Sequence, residues 1–115
     1  MRDDKRNIIV EKTFEFSLLI MDFSELLESQ RKYVFARQIL KSGTSIGANV
    51  REAQNAESKA DFIHKMKIAS KEADETEYWL LLCQQSKNYP DCKNLQEKIM
   101  EIIRIVSKII SSSKK

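Results

Sequence analysis

The residue types that usually carry chemistry are few in this 115-residue chain. His64 is the only histidine, so any serine or cysteine nucleophile that needs an imidazole base would have to use it. A di-iron carboxylate bundle needs two Glu-x-x-His pairs. Asp61-x-x-His64 offers one imperfect copy, and His64 is read as a solvent-facing residue. Glu72 and Glu75 lie three apart, as paired carboxylates for acid–base work on one helix face would. No substrate-binding motif accompanies them. Cys83 reads as a core residue and Cys92 as a turn residue. The first sixteen residues lack a continuous apolar stretch, so no secretion signal is read there. Both thiols are expected reduced, in the cytosol. No catalytic residue, metal or cofactor is assigned, and the chain is not read as an enzyme.

The run KSGTSIGANVREA, from Lys41 to Ala53, holds the only two glycines, Gly43 and Gly47. A phosphate-cradling loop would need Lys-Ser/Thr after the second glycine and a strand before the first. GTSIGANV has neither. The apolar spacing on both sides continues through the run, so it is read as helix. A glycine in mid-helix costs about 1 kcal/mol relative to alanine. Two of them four apart, with Ser42, Ser45 and Ala48 nearby, make a small face on which another backbone can approach closely.

Four segments have helical periodicity. In the first, about 8–29, Phe16, Leu19, Phe23 and Leu26 set the stripe, with Ile20 and Leu27 beside them. Phe14, Leu18 and Met21 widen it. The second, about 31–55, carries Phe35, Ile39, Ser42, Ile46, Asn49 and Ala53. The third, about 58–87, has an unbroken heptad seam of Phe62, Met66, Ala69, Ala73, Thr76, Leu80 and Cys83. Ser58 and Asp61 suit its N-terminal cap, and KNYPDC ends it. The fourth, about 91–112, repeats Leu95, Ile99, Ile102, Val106 and Ile109, with Asp91 as its expected cap. Asn49, Glu72 and Glu75 are polar near these seams. They are expected either to pair with one another and Ser45, to line a polar channel, or to lie solvated at an edge.

One proline and two glycines leave little material for the turns of a β fold. With 42% hydrophobic and 32% charged residues the composition is that of a globular chain, and 115 residues suffice for one domain over 1–115 with one core. The longest apolar run, Tyr78–Cys83, is far too short for a membrane span. The fold class expected is all-α, an antiparallel up-down four-helix bundle.

The block from Ser42 to Cys83 is similar to the signature of the bacterial 23S rRNA intervening-sequence proteins. Gln38 followed by Ser45-Ile46-x-x-Asn49-Val50-x-Glu52 matches one part. Ile68-Ala69 and Glu75-Thr76-Glu77 match another, and Lys71–Ala73 and Tyr78–Leu80 fit one subgroup. Ala53 stands where the family usually has glycine after Glu52. The resemblance covers about residues 10–110. It implies an up-down bundle, commonly a ring-like homopentamer. Some members are encoded within insertions in large-subunit ribosomal RNA genes. A related branch serves diversity-generating retroelements, binding nucleic acid and a reverse transcriptase.

Charge is segregated along the chain. The net charge is +3. Residues 11–28 carry five acids and one base; residues 30–54 carry Arg31, Lys32, Arg37, Lys41 and Arg51 against Glu52 alone; residues 91–115 carry six bases and three acids. This layout suits a phosphate-tracking surface repeated around an oligomer. It also suits the acidic first helix of one subunit meeting the basic second helix of the next, or a solvated face. The function expected is a non-enzymatic homo-oligomeric scaffold binding RNA or DNA through Arg37, Lys41, Arg51, Arg104 and Lys108. The alternative is a protein–protein adaptor. Gln38, Gly43, Ser45, Gly47, Asn49, Glu52, Glu72 and Glu75 are assigned to a structural or interface motif. The excess of apolar residues on the first, third and fourth helices points to burial between copies.

Overall fold

The computed structural model describes residues 4–115, with side chains from Ile8 onward. The first three residues, where part of the leader reading falls, lie outside the described residues. Four helices follow one another: α1 (Asp4–Ser29), α2 (Tyr33–Ala53), α3 (Lys59–Gln85) and α4 (Lys93–Ser113). A 26-residue helix is about 39 Å long, and the molecule measures 45 × 19 × 19 Å. The helices therefore run along the long axis. Each packs on two neighbours, in the cyclic order α1–α2–α3–α4–α1, and no Cα of α1 comes within 8 Å of α3, nor of α2 within 8 Å of α4.

Neighbouring helices are antiparallel. Ser24 of α1 donates to the Ala36 carbonyl of α2, whereas Gly47, farther along α2, lies against Thr13, farther back on α1. Phe35 meets Trp79 at one end of the α2–α3 pair and Glu52 meets Lys65 at the other. Across α3 and α4, the Cys92 thiol donates to the Leu80 carbonyl at one end and Lys59 to the Lys115 carbonyl at the other.

The core is built from one row per helix. The expected seams of α3 and α4 are buried at every position. In α2 the buried residues are Ala36, Ile39, Ser42, Gly43, Ile46, Val50 and Ala53, with Asn49 at the edge. The expected stripe of α1 is turned. Ile9, Thr13, Phe16, Ile20, Phe23 and Leu27 face the core, while Leu19 is half-buried and Leu26 exposed. Two polar side chains make that row possible. The Thr13 hydroxyl donates to the Ile9 carbonyl (2.7 Å), and Ser24 is satisfied on α2, so neither carries the cost of a buried unpaired group.

The helix ends follow local chemistry. Arg31 has φ 64°, its N–H donates to Glu28, and the Lys32 N–H donates to Leu27. This is the left-handed cap that closes a helix with paired 5→2 and 6→1 bonds. Ser58 caps α3 by accepting from the Asp61 N–H (3.0 Å), and the Asp61 carboxylate accepts from the Glu57 N–H. Asp91 does not cap α4, contrary to expectation. Cys92 occupies that position with no side-chain cap. The Gln84 side chain holds both residues instead: its amide N–H donates to the Asp91 carboxylate and its carbonyl accepts from the Cys92 N–H, each at 2.7 Å.

Candidate nucleic-acid and assembly surfaces

Arg37, Lys41 and Arg51 are exposed on the outer side of α2, and Arg104 and Lys108 are exposed on α4. Because α2 and α4 are diagonal, the two basic groups point away from the bundle in different directions and do not form one patch on a single copy. Among the described residues the ion pairs are Lys12–Glu101 (3.2 Å), Lys65–Glu52 (4.0 Å) and Lys65–Asp61 (3.8 Å). None of the five cations takes part in one.

The motif residues divide between two seams. Gly43 and Gly47 turn toward α1. A Cβ built on Gly47 would lie 3.2 Å from the Thr13 carbonyl oxygen and 3.3 Å from Ser17 Oγ. The small face therefore serves close packing of α1 on α2 within the bundle. Gln38, Ser45, Asn49 and Glu52 lie on the α3 side of α2, and Glu72 and Glu75 on the facing side of α3 by helical register. The hydroxyls of Ser42 and Thr76 meet at 2.9 Å beneath this seam.

The motif's polar groups do not pair as one network. Asn49 donates to the Ser45 carbonyl and the Ser45 hydroxyl to the Lys41 carbonyl, both within α2. Glu75 is exposed and accepts from the Trp79 indole N–H (3.2 Å). Glu72 takes no side-chain hydrogen bond among the described residues. Among the described residues no polar channel is formed, since the interior they make is apolar apart from Thr13, Ser24, Ser42 and Thr76.

The remaining reactive groups are separated. His64 is exposed. Asp61 is engaged by Lys65 and the α3 cap, and no group of three acidic, histidine or cysteine side chains among the described residues is arranged to hold a metal ion. Burial pushes the Cys83 thiol up to about 12, helped by Cys92. Burial, then Asp91, pushes Cys92 up to about 11. Both therefore stay protonated near neutrality, the wrong state for a nucleophile.

A cleft of about 470 Å³ runs between α1 and α2, lined by Val10, Phe14, Gly47 and Ala48 with Glu11 and Arg51 at its rim. Sequence reasoning counts Phe14 toward the α1 core stripe. Its register with Leu18 and Met21, opposite Phe16 and Ile20, is the signal that it belongs to a second face.

The sequence profile of the 23S rRNA-intervening sequence protein family matches residues 5–111. The chain belongs to this family. A crystal structure of a protein with unknown function from the S23 ribosomal protein family of Bacteroides thetaiotaomicron VPI-5482 is similar to it throughout. It is 42% identical, with a TM-score of 0.88, over 93% of this chain and 98% of that one. No match was found among curated proteins. Membership agrees with the four-helix fold, and the family motif falls on the buried α1–α2 contact and on the α2–α3 seam. Among the described residues, no helix of this intervening-sequence family member is long and apolar enough to cross a membrane.

Proposed function

We propose that this chain is a non-enzymatic subunit of a homo-oligomeric scaffold that binds RNA or DNA through its basic outer surfaces. The observation that supports it is the set of exposed cations, Arg37, Lys41, Arg51, Arg104 and Lys108, with no ion pair among the described residues. Cations held in internal salt bridges have little to offer a phosphate. Unpaired ones gain from the counterions that a phosphate contact releases. The family name ties the fold to insertions in 23S ribosomal RNA genes, which is a nucleic-acid setting. Homo-oligomers multiply a modest surface charge, and the resemblance to the family suggests five copies.

The test is fluorescence anisotropy with a structured RNA and a DNA duplex, each at about 50 and 200 mM salt. Binding at low salt that weakens steeply at high salt is expected. Absence of binding at low salt to both probes overturns the nucleic-acid part. A second reading, a protein–protein adaptor, is favoured by the exposed apolar residues Tyr78 and Leu81 of α3 and Met100 of α4. Affinity capture under nuclease treatment separates the two: a partner retained after nuclease supports the adaptor.

A further inference from the structure

The outer face of α1 and α2 carries two matched rows. On α1, Glu11, Phe14, Leu18, Met21 and Glu25 recur at three- and four-residue steps, and all five are exposed. On α2, Arg37, Leu40, Thr44, Ala48 and Arg51 do the same, with only Thr44 partly covered. Phe14 is 54% exposed, Leu18 48%, Met21 47% and Leu40 38%. Each row is apolar or small in the middle and charged at both ends. The end residues of each row are fourteen positions apart, about 21 Å of helix.

Because α1 and α2 are antiparallel, Glu11 and Arg51 stand together at one end of the cleft. Glu25 is level with Arg37 at the other, beside the Ser24–Ala36 hydrogen bond. Among the described residues neither glutamate is ion-paired with an arginine.

We propose that this face is the assembly surface, with the α1 row of one copy lying on the α2 row of the next. This deepens the homo-oligomer reading above and rests on it. In that arrangement glutamate meets arginine at both ends, and Phe14, Leu18 and Met21 cover Leu40, Thr44 and Ala48 between them. The charges select the occupant. Laying α1 on a second α1 would oppose glutamates, at a cost that like-charge contacts impose. A nucleic acid on this face would meet Glu11, Glu25 and Glu28 of α1, which repel phosphate. A second copy supplies both signs in register. Of the five cations proposed above for nucleic acid, the assembly then takes Arg37 and Arg51 into subunit contacts and leaves Lys41 of α2 with Arg104 and Lys108 of α4 for the anionic ligand.

The test is light scattering coupled to size exclusion on the full chain over a dilution series, with circular dichroism on each variant to verify the fold. Phe14→Lys adds a charge at an exposed site and is expected to raise the subunit dissociation constant by about 30-fold or more. Glu25→Arg and Arg37→Glu are each expected to raise it about 10-fold. The double variant restores the pair between copies and is expected to return to within about threefold of wild type. Should Phe14→Lys lose helicity, the charge swap decides. A wild-type oligomer indifferent to all four variants overturns this face and leaves the homo-oligomer reading standing. A monomeric wild type at micromolar concentration overturns both.

Discussion

Gly43 of α2 faces Ile20 of α1 so closely that a Cβ on the glycine would lie 2.9 Å from both Cγ1 and Cγ2 of the isoleucine. Those carbons belong to a β-branched side chain with one strongly preferred helical rotamer, so they cannot swing away cheaply. Alanine at position 43 gains about 1 kcal/mol of helix propensity and loses about 1–3 kcal/mol to overpacking. The expected outcome is net destabilisation of about 1 kcal/mol, with a lower urea midpoint. Combined with Ile20→Ala, which opens the contact, Gly43→Ala should cost less than it does alone. Additivity of the two in a double-mutant cycle would show that the glycine is not there for Ile20.

Gly47 makes a different prediction from the same helix. Its added Cβ would stand 3.2 Å from a backbone oxygen of α1, tight but not overlapping, and Gly47 is only part-buried. Helix propensity and crowding then nearly offset each other. Gly47→Ala should stay within about 0.5 kcal/mol of wild type by chemical denaturation. A loss as large as that of Gly43→Ala would mean that α1 cannot yield even a few tenths of an ångström there.

Much of this arrangement is legible in the sequence. The heptads of α3 and α4 have a single apolar phase, which assigns Phe62 through Cys83 and Leu95 through Ile109 to the core, and both rows are buried. The phase of α1 is not legible, because the helix has two apolar rows. Phe14, Leu18 and Met21 compete with Phe16, Ile20 and Phe23, and the true core row contains Thr13 and Ser24, which hydropathy places outside. Thr13 is satisfied inside α1 by the Ile9 carbonyl, but Ser24 needs the Ala36 carbonyl of α2, which only the fold supplies. Asp91 reads as a cap from residue type alone. Gln84, on the preceding helix, competes for it, and no local pattern reveals that. A charge count finds the cations, but their division between diagonal helices follows only from the packing order.

Arg31 holds a left-handed conformation, φ 64°, at the end of α1, where a Cβ is penalised and glycine is the usual occupant. The backbone bonds of the cap do not involve the arginine side chain. Arg31→Gly is therefore expected to stabilise the bundle by about 0.5–1 kcal/mol, since the relieved Cβ strain exceeds the added chain entropy. For a chain of this size that is a rise of roughly 2–6 °C in Tm by calorimetry. A lowered Tm would show that the Arg31 side chain contributes a stabilising contact beyond the cap.

The thiols predict an alkaline limit on stability. In the folded chain Cys83 is pushed up to about 12 from the ordinary 9.0, and Cys92 to about 11. The folded state thus holds these protons more tightly than the unfolded state. Their contribution is complete below about pH 9 and is lost as pH rises toward 11–12. Comparison with a variant that lacks one thiol isolates the effect. The urea midpoint should fall between pH 8 and pH 10.5 by more in wild type than in Cys83→Ala. Equal falls in the two proteins would remove Cys83 from the alkaline response.

Arg104 and Lys108 are one helical turn apart on α4, exposed and in no ion pair among the described residues, and they lie away from the α1–α2 face. If phosphates track this helix, replacing both by alanine weakens RNA and DNA binding about equally across sequences, because a cation on a phosphate carries no base information. Removing one cation from a phosphate lowers the slope of log K against log salt by about 0.7–0.9. The double variant should therefore flatten the slope by about 1.4–1.8 for each copy that touches the ligand. Its size by light scattering should not change, since neither residue is in the matched rows of α1 and α2. The contrasting variant, Lys67→Ala, removes an exposed charge from α3 and should leave the slope near wild type. An unchanged affinity and slope in the α4 variant would move the ligand off this helix, whatever the oligomer proves to be.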